Sequence, residues 1–288
     1  MSMRFAKMQG AGNDFIVVNN MELGLDPALF PAIAKRVCTH RASLGGDALM
    51  VADHPQHGGD LRMRFYNADG TEGEMCGNGA RCLARYAYEK GLSGPSVVIE
   101  TVAGDVLGWR LSKREYKIRL NTPQVVELDR SVRVGNTDHI CAYVELGRPG
   151  LPHAVLPFPG LGSAGLDRLR PLGAALRAHP AFPKGANVNF WDLLPDGTVV
   201  VRTYERGVED FTLACGTGSA STAAVLTLSG LIQASPVRLD TMGGRLLVEV
   251  EREGQTITAL YLIGDTNMVA EGILTDEDLP PIFQECKA

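Results

Sequence analysis

Two stretches of the chain answer each other: Met63-Arg-Phe-Tyr-Asn67 followed by Cys76-Gly-Asn-Gly-Ala80, and Val201-Arg-Thr-Tyr-Glu205 followed by Cys215-Gly-Thr-Gly-Ser219. In each, an alternating run precedes a polar segment. A Cys-Gly-x-Gly turn follows, then an apolar stretch ending in glycine, at Gly91 and at Gly230. Tyr66 precedes Cys76 by ten residues, and Tyr204 precedes Cys215 by eleven. Downstream, Thr101-Val-Ala-Gly-Asp-Val-Leu107 matches Thr241-Met-Gly-Gly-Arg-Leu-Leu247. Upstream, Gly10-Ala-Gly-Asn-Asp-Phe15 is set against Gly185-Ala-Asn-Val-Asn-Phe190. Four short matches in one order read as an internal duplication.

The pattern predicts the same elements in each copy. Residues 61–66 and 199–204 alternate as strands with one buried face. Residues 78–90 and 217–229 read as helices closed by Gly91 and Gly230. Residues 97–101, 117–120, 245–251 and 256–263 read as further strands, and 166–178 as a peripheral helix of the second copy. Many short strands around one long apolar helix imply an α+β fold. Asn121-Thr122-Pro123 is the expected boundary, because proline cannot continue a central strand.

Composition narrows the function classes. With 288 residues, two domains are the expected count. The chain is 45% hydrophobic and 21% charged, which excludes an intrinsically disordered protein. Its net charge of −5 provides no basic footprint for nucleic acid. Residues 211–237 carry no charge and could span a bilayer by length, but Gly216, Gly218 and Gly230 interrupt them, so a buried helix is expected and no membrane segment. The opening Met-Ser-Met-Arg-Phe lacks the apolar run of a signal peptide. The cysteines, Cys38, Cys76, Cys82, Cys141, Cys215 and Cys286, form no Cys-x-x-Cys pair. No zinc site is expected, and the thiols read as reduced and cytoplasmic.

Cys76 and Cys215 each stand at the turn that opens a helix, where unpaired N–H groups and a partial positive charge favour a thiolate. Each is therefore expected to titrate below the ordinary thiol value. The flanking glycines let a ligand approach the backbone, and the N–H groups can hold a carboxylate. Two such thiols, one on each face of a carbon, suit inversion of a stereocentre by two bases. Other readings stand beside this one: small buried hydrophobes packing helix against sheet, or a thiol oxidoreductase pair. The other four cysteines lack glycine loops and read as core or surface residues.

These residues resemble the diaminopimelate epimerase family. The matching motifs are Met8-Gln-Gly-Ala-Gly-Asn-Asp-Phe15, Phe65-Tyr-Asn-Ala-Asp-Gly70, Glu74-Met-Cys-Gly-Asn-Gly-Ala-Arg81, Pro152-His-Ala-Val155, Asn187-Val-Asn-Phe190, Tyr204-Glu-Arg-Gly207 and Leu213-Ala-Cys-Gly-Thr-Gly218. The resemblance implies two pseudo-symmetric domains, each a barrel-like, mostly antiparallel sheet around a central helix. It places residues 1–121 in the first, with a returning strand within 268–288, and 122–267 in the second. It implies epimerisation of LL-diaminopimelate to the meso form, in lysine and peptidoglycan precursor synthesis, by a cytoplasmic homodimer without cofactor or metal.

By the same resemblance Cys76 and Cys215 are the acid/base pair. The N–H groups of Gly77, Asn78, Gly216 and Thr217 would hold the α-carboxylate. Asn13, Asn67, Asn189, Glu205 and Arg206 would bind the amino groups and the far carboxylate, with His153 beside the thiols. Leu151 and Ala48 stand where some members carry Asn and Gln, so the resemblance does not carry over how the distal end of the substrate is read. A racemase for proline, hydroxyproline or histidine, a Cys215–His153 hydrolase and a non-catalytic binding protein remain as rivals. Paired thiols also predict reversible loss of activity under mild oxidant.

Overall fold

A computed structural model describes residues 3–279. Cys286, and residues 280–288 of the expected returning segment, lie outside the described residues. The chain divides into two units: one takes in the chain up to Ile118 and again from Gly264, the other is Arg119–Ile263. Both changes of unit fall inside a strand, a few residues ahead of the boundary read at Asn121–Pro123 and of the one that the resemblance implies after residue 267.

In the first unit, β1 (Met3–Gly10) turns through Ala11 and Gly12, both at positive φ, into antiparallel β2 (Asn13–Asn19). The one-turn α1 (Asn20–Leu23) and α2 (Phe30–Val37) carry the chain over to β3 (Ala48–Asp53), parallel to β2. Parallel neighbours need such a crossover, and a helix is the usual one. β4 (Leu61–Asn67) returns antiparallel to β3 and bears the two-residue β5 (Glu72–Gly73). Helix α3 (Gly77–Glu89) leads to β6 (Ser96–Thr101), parallel to β4, and then β7 (Gly104–Arg110) and β8 (Glu115–Leu120) follow antiparallel. The late strand Asn267–Leu274, numbered β18, pairs antiparallel with β1 on its other side.

The second unit repeats this pattern. Strands β9 (Pro123–Val134), β10 (Thr137–Leu146) and β11 (Leu151–Pro157) pair antiparallel in turn. Helix α4 (Leu166–Arg177) crosses to β12 (Asn187–Leu193), parallel to β11. β13 (Val199–Glu205) returns antiparallel and bears β14 (Asp210–Phe211); α5 (Gly216–Leu228) leads to β15 (Val237–Asp240), parallel to β13. β16 (Arg245–Glu253) and β17 (Thr256–Asp265) follow. The alternation of parallel and antiparallel ladders is the same in both units, so the fold is a duplicated α+β unit.

Within its own unit each central helix is wrapped by sheet. Helix α3 packs against β1, β2 and β3 and also against β6 and β7, and α5 packs against β9–β12 and β16. Gly77–Ala87 are buried without a break. Helices α2 and α4 cover the opposite side. Phe30, Ile33, Ala34 and Val37 sit on Leu49, Val51 and Tyr66, while Leu169 and Leu176 join Phe190 and Tyr204. Each such apolar side chain contributes roughly 1.5–3 kcal/mol on burial.

Two expectations change. The helix at 166–177 is no addition to the second copy; it is the counterpart of α2, whose short apolar face escaped the periodicity reading. The upstream repeat match also fails: Gly10–Asn13 joins β1 to β2, whereas Gly185 leads into β12, the counterpart of β3. Shared glycines and an Asn-x-Phe ending made different turns look alike.

Candidate active site

Both predicted thiols cap helices. Cys76 holds an extended backbone (φ −127°, ψ 121°) at the N-cap of α3, and its Sγ accepts the Gly79 N–H at 3.5 Å. Cys215 does the same for α5 (φ −111°, ψ 113°), accepting the Gly218 N–H at 3.3 Å. Serine, aspartate and asparagine commonly fill this position. Cysteine there places a nucleophilic sulfur at the positive end of the helix. Among the described residues the N–H groups of Gly77, Gly216 and Thr217 have no acceptor, as befits the first turn of a helix.

The first-unit cluster runs outward from Cys76. Asn78 donates its amide to Asn13 Oδ1 at 2.6 Å, and Asn13 donates to Asp47 Oδ2 at 3.1 Å. Asn67 lies apart from this chain, exposed at the end of β4, with its amide on Thr71 Oγ1 at 2.9 Å. Ala48 is buried and offers no polar group.

The second-unit cluster surrounds Cys215. The Glu205 carboxyl bonds to the Cys215 thiol and accepts the Thr212 hydroxyl at 2.5 Å. Burial raises Glu205 above the ordinary carboxylate range. Burial first, then the Glu205 charge, pushes the Cys215 thiol well above its ordinary value. The Gly218 N–H and the Thr217 hydroxyl pull the other way without winning. The expectation of a depressed value is thus wrong for Cys215, because the helix end is buried beside an anion. Burial also raises the remaining buried thiols, pushing Cys38 and Cys82 up to about 12 and Cys141 to about 11.

Arg206 is exposed; its Nη1 donates to Lys184 O at 2.6 Å and its backbone N–H to Asn187 Oδ1 at 2.9 Å. Asn189, expected to touch substrate, is fully buried. Its amide nitrogen reaches His153 Nδ1 at 3.2 Å and Ala154 O at 3.1 Å, and its Oδ1 accepts from Thr203 at 2.9 Å. A Cβ on Gly218 would lie 2.1 Å from that Oδ1, so Asn189 props the first turn of α5 from below. Asn187, two residues earlier, is the asparagine tied to Arg206; residue type alone could not separate the two. Among the described residues, no cluster of three or more His, Cys, Asp or Glu could hold a metal ion.

The ladder registers align the two copies residue by residue. Asn13 corresponds to Leu151, Ala48 to Asn187, and Asn67 to Glu205. Each unit keeps one polar side chain of the first two pairs. Beneath the helix ends the contrast is sharper. Phe15, Met50 and Phe65 occupy the places of His153, Asn189 and Thr203. Gly79 rests on Met50 Sδ, where Gly218 rests on Asn189.

His153 is fully buried, and desolvation, then the Arg206 charge, lowers its imidazole from 6.5 to about 3. With Nδ1 accepting from Asn189, the proton sits on Nε2, which has no partner among the described residues. The unfolded imidazole takes a proton below about pH 6.5 that the folded one refuses. Its stabilisation is therefore complete above pH 6.5 and lost as pH falls towards 3. Between pH 7 and 4.5 the loss is about 2–3 kcal/mol. Urea melts of His153→Gln should lack that part of the acid decline; equal declines in both proteins would refute it.

The sequence matches the Diaminopimelate epimerase family over residues 5–123 and 148–269. It is 36% identical to a protein named diaminopimelate epimerase from Aquifex aeolicus (strain VF5), over 96% of this chain and 99% of that one. A second so named, from Caldanaerobacter subterraneus subsp. tengcongensis, is 35% identical over 94% and 98%. Among solved structures, a hydroxyproline epimerase from Agrobacterium vitis shares the fold (TM-score 0.69, 17% identity, 96% of this chain and 94% of that one).

Proposed function

The chain belongs to the diaminopimelate epimerase family, and from that premise we propose that it interconverts LL- and meso-diaminopimelate by two-base proton transfer at the α-carbon. The observation that carries the reading is the pair of N-capping thiols, Cys76 and Cys215, at equivalent places in the two units. One sulfur removes the α-proton and the other delivers a proton to the opposite face, which inverts the centre. The N–H groups of Gly77, Asn78, Gly216 and Thr217 hold the α-carboxylate and so stabilise the charge that spreads onto it. Asn13, Asn67 and Arg206 serve the distal amino and carboxyl groups, with Arg206 suited to bidentate pairing.

Glu205 supports the reading in a second way besides binding an ammonium group. Its bond to the Cys215 thiol keeps that sulfur protonated, as a proton donor must be before it acts. Neutral His153 brings no positive charge to that thiol. The reading includes a cytoplasmic homodimer supplying lysine and peptidoglycan precursors.

Incubation in heavy water with each diaminopimelate stereoisomer tests it. The expected result is deuterium at the α-carbon with conversion of LL to meso. Exchange on proline, hydroxyproline or histidine, with none on diaminopimelate, would replace this substrate by one of theirs.

A further inference from the structure

A fully buried arginine stands five residues beyond the first thiol, on the helix that thiol caps. Arg81, in the second turn of α3, is 0% exposed, and among the described residues no carboxylate forms an ion pair with it. Its Nη2 donates to Asn78 Oδ1 at 2.9 Å, its Nη1 reaches Gly77 O at 3.5 Å, and its Nε has no partner among the described residues. The end of β1 comes close because residue 10 is glycine: a Cβ there would stand 3.3 Å from Asn78 O and 3.7 Å from Arg81 Nη2. A guanidinium stays charged in a protein. Burying one without an anion is unfavourable, so a cation kept in that state implies a negative charge supplied at the site.

We propose that Arg81 is a positioning residue of the first thiol site, whose buried charge is matched by the Cys76 thiolate and the substrate carboxylate and whose hydrogen bond to Asn78 aligns Asn13. The second unit has Ala220 at the same step from its cysteine and Glu205 in place of Asn67. Duplication was thus followed by divergence in charge. A cation stands on the helix that Cys76 caps, and a carboxyl stands beside Cys215.

The other groups acting on this guanidinium are Cys82, whose effect exceeds that of Cys76, and Asp265, which is paired with Arg114. Arg85 faces Cys82 from the same helix and bonds Glu89 and Thr266 O. Asp47 and Asp14 end the asparagine chain, with Lys7 on Asp14. None of these takes the place of a direct counter-ion.

The inference rests on the two-base reading, but its test does not require turnover. The intact chain is alkylated with iodoacetamide across pH, and the peptides bearing Cys76 and Cys215 are quantified by mass spectrometry. In the unsubstituted protein the Cys76 midpoint should lie below that of Cys215. In Arg81→Met it should rise by about one pH unit or more, with Cys215 unmoved. Arg81→Lys, which keeps the charge but not the planar fork, should restore most of the midpoint. Arg81→Gln serves if the Met variant does not fold. A Cys76 midpoint at or above that of Cys215, or one unchanged in a folded neutral variant, overturns the proposal. Failure to epimerise diaminopimelate, with these midpoints as expected, would count against the substrate alone.

Discussion

On the proposed two-base mechanism, Cys76→Ala and Cys215→Ala should each lower the epimerisation rate by about 10³-fold or more, since each would remove one of two proton-transfer groups that act as a unit. Folding survives the change. Losing the capping acceptor at one helix end costs about 1 kcal/mol, a small part of the stability of a domain. Serine makes the control decisive. Cys76→Ser and Cys215→Ser keep an N-capping oxygen over Gly79 or Gly218 but replace an ionisable thiol by a hydroxyl. They should fold like the parent and be nearly as inactive as the alanine forms. Rates are read by α-proton exchange and by separation of stereoisomers. A tenth of parental activity in either alanine variant would sink the two-base reading. A hydrolase built on Cys215 and His153 predicts a different outcome, because it tolerates loss of Cys76.

Gly218→Ala should be the most damaging substitution that leaves every functional side chain in place. The new Cβ would lie 2.1 Å from Asn189 Oδ1 and 3.2 Å from Thr203 Oγ1. Neither atom can swing aside cheaply, for Asn189 is held by His153, Ala154 O and Thr203. Relief must come from the first turn of α5, which moves the Gly218 N–H off the Cys215 sulfur. Overpacking of this kind costs about 1–3 kcal/mol. The kinetic loss should be larger than that stability change suggests, about 10²-fold, because misplacement of a reacting group by about an ångström has that effect. Adding Asn189→Ala removes the clash, so the double variant should regain stability over Gly218→Ala alone. A double variant no more stable than the single would show that the clash is not the cause. Gly79→Ala should be milder, because its Cβ meets Met50 Sδ at 2.8 Å, the movable part of an unbranched thioether.

Much of the fold and site was legible in the sequence because a few local rules decide it. The Cys-Gly-x-Gly turns marked the starts of α3 and α5, and Gly91 and Gly230 at positive φ marked their ends. The cysteines were readable as a pair because duplication repeated the whole strand–turn–helix unit around them. The eight-residue α2 was not readable, since two turns of helix leave too little periodicity to separate from a buried strand. Nor could Asn187 be told from Asn189. They share one face of β12, two residues apart, and only the tertiary structure shows that Asn189 lies under the start of α5 while Asn187 meets the Arg206 backbone.

The depressed ionisation expected for both thiols shows where local reasoning stops. A helix end favours a thiolate, but that preference is modest beside desolvation in a buried site. For Cys215 burial dominates and Glu205 adds to it, a residue ten places away in sequence that β13 and β14 bring to the sulfur.

By itself the sequence determined the duplication, the two capping cysteines and the family to which their motifs belong, because helix starts and glycine turns are set by neighbours in the chain. Tertiary structure alone decided how the copies differ. It placed Phe15, Met50 and Phe65 under one helix end and His153, Asn189 and Thr203 under the other, with Arg81 buried on the helix that one thiol caps and Glu205 beside the other thiol. These differences arise from pairings between strands far apart in sequence. The charge a buried sulfur carries depends on which groups those pairings bring within reach.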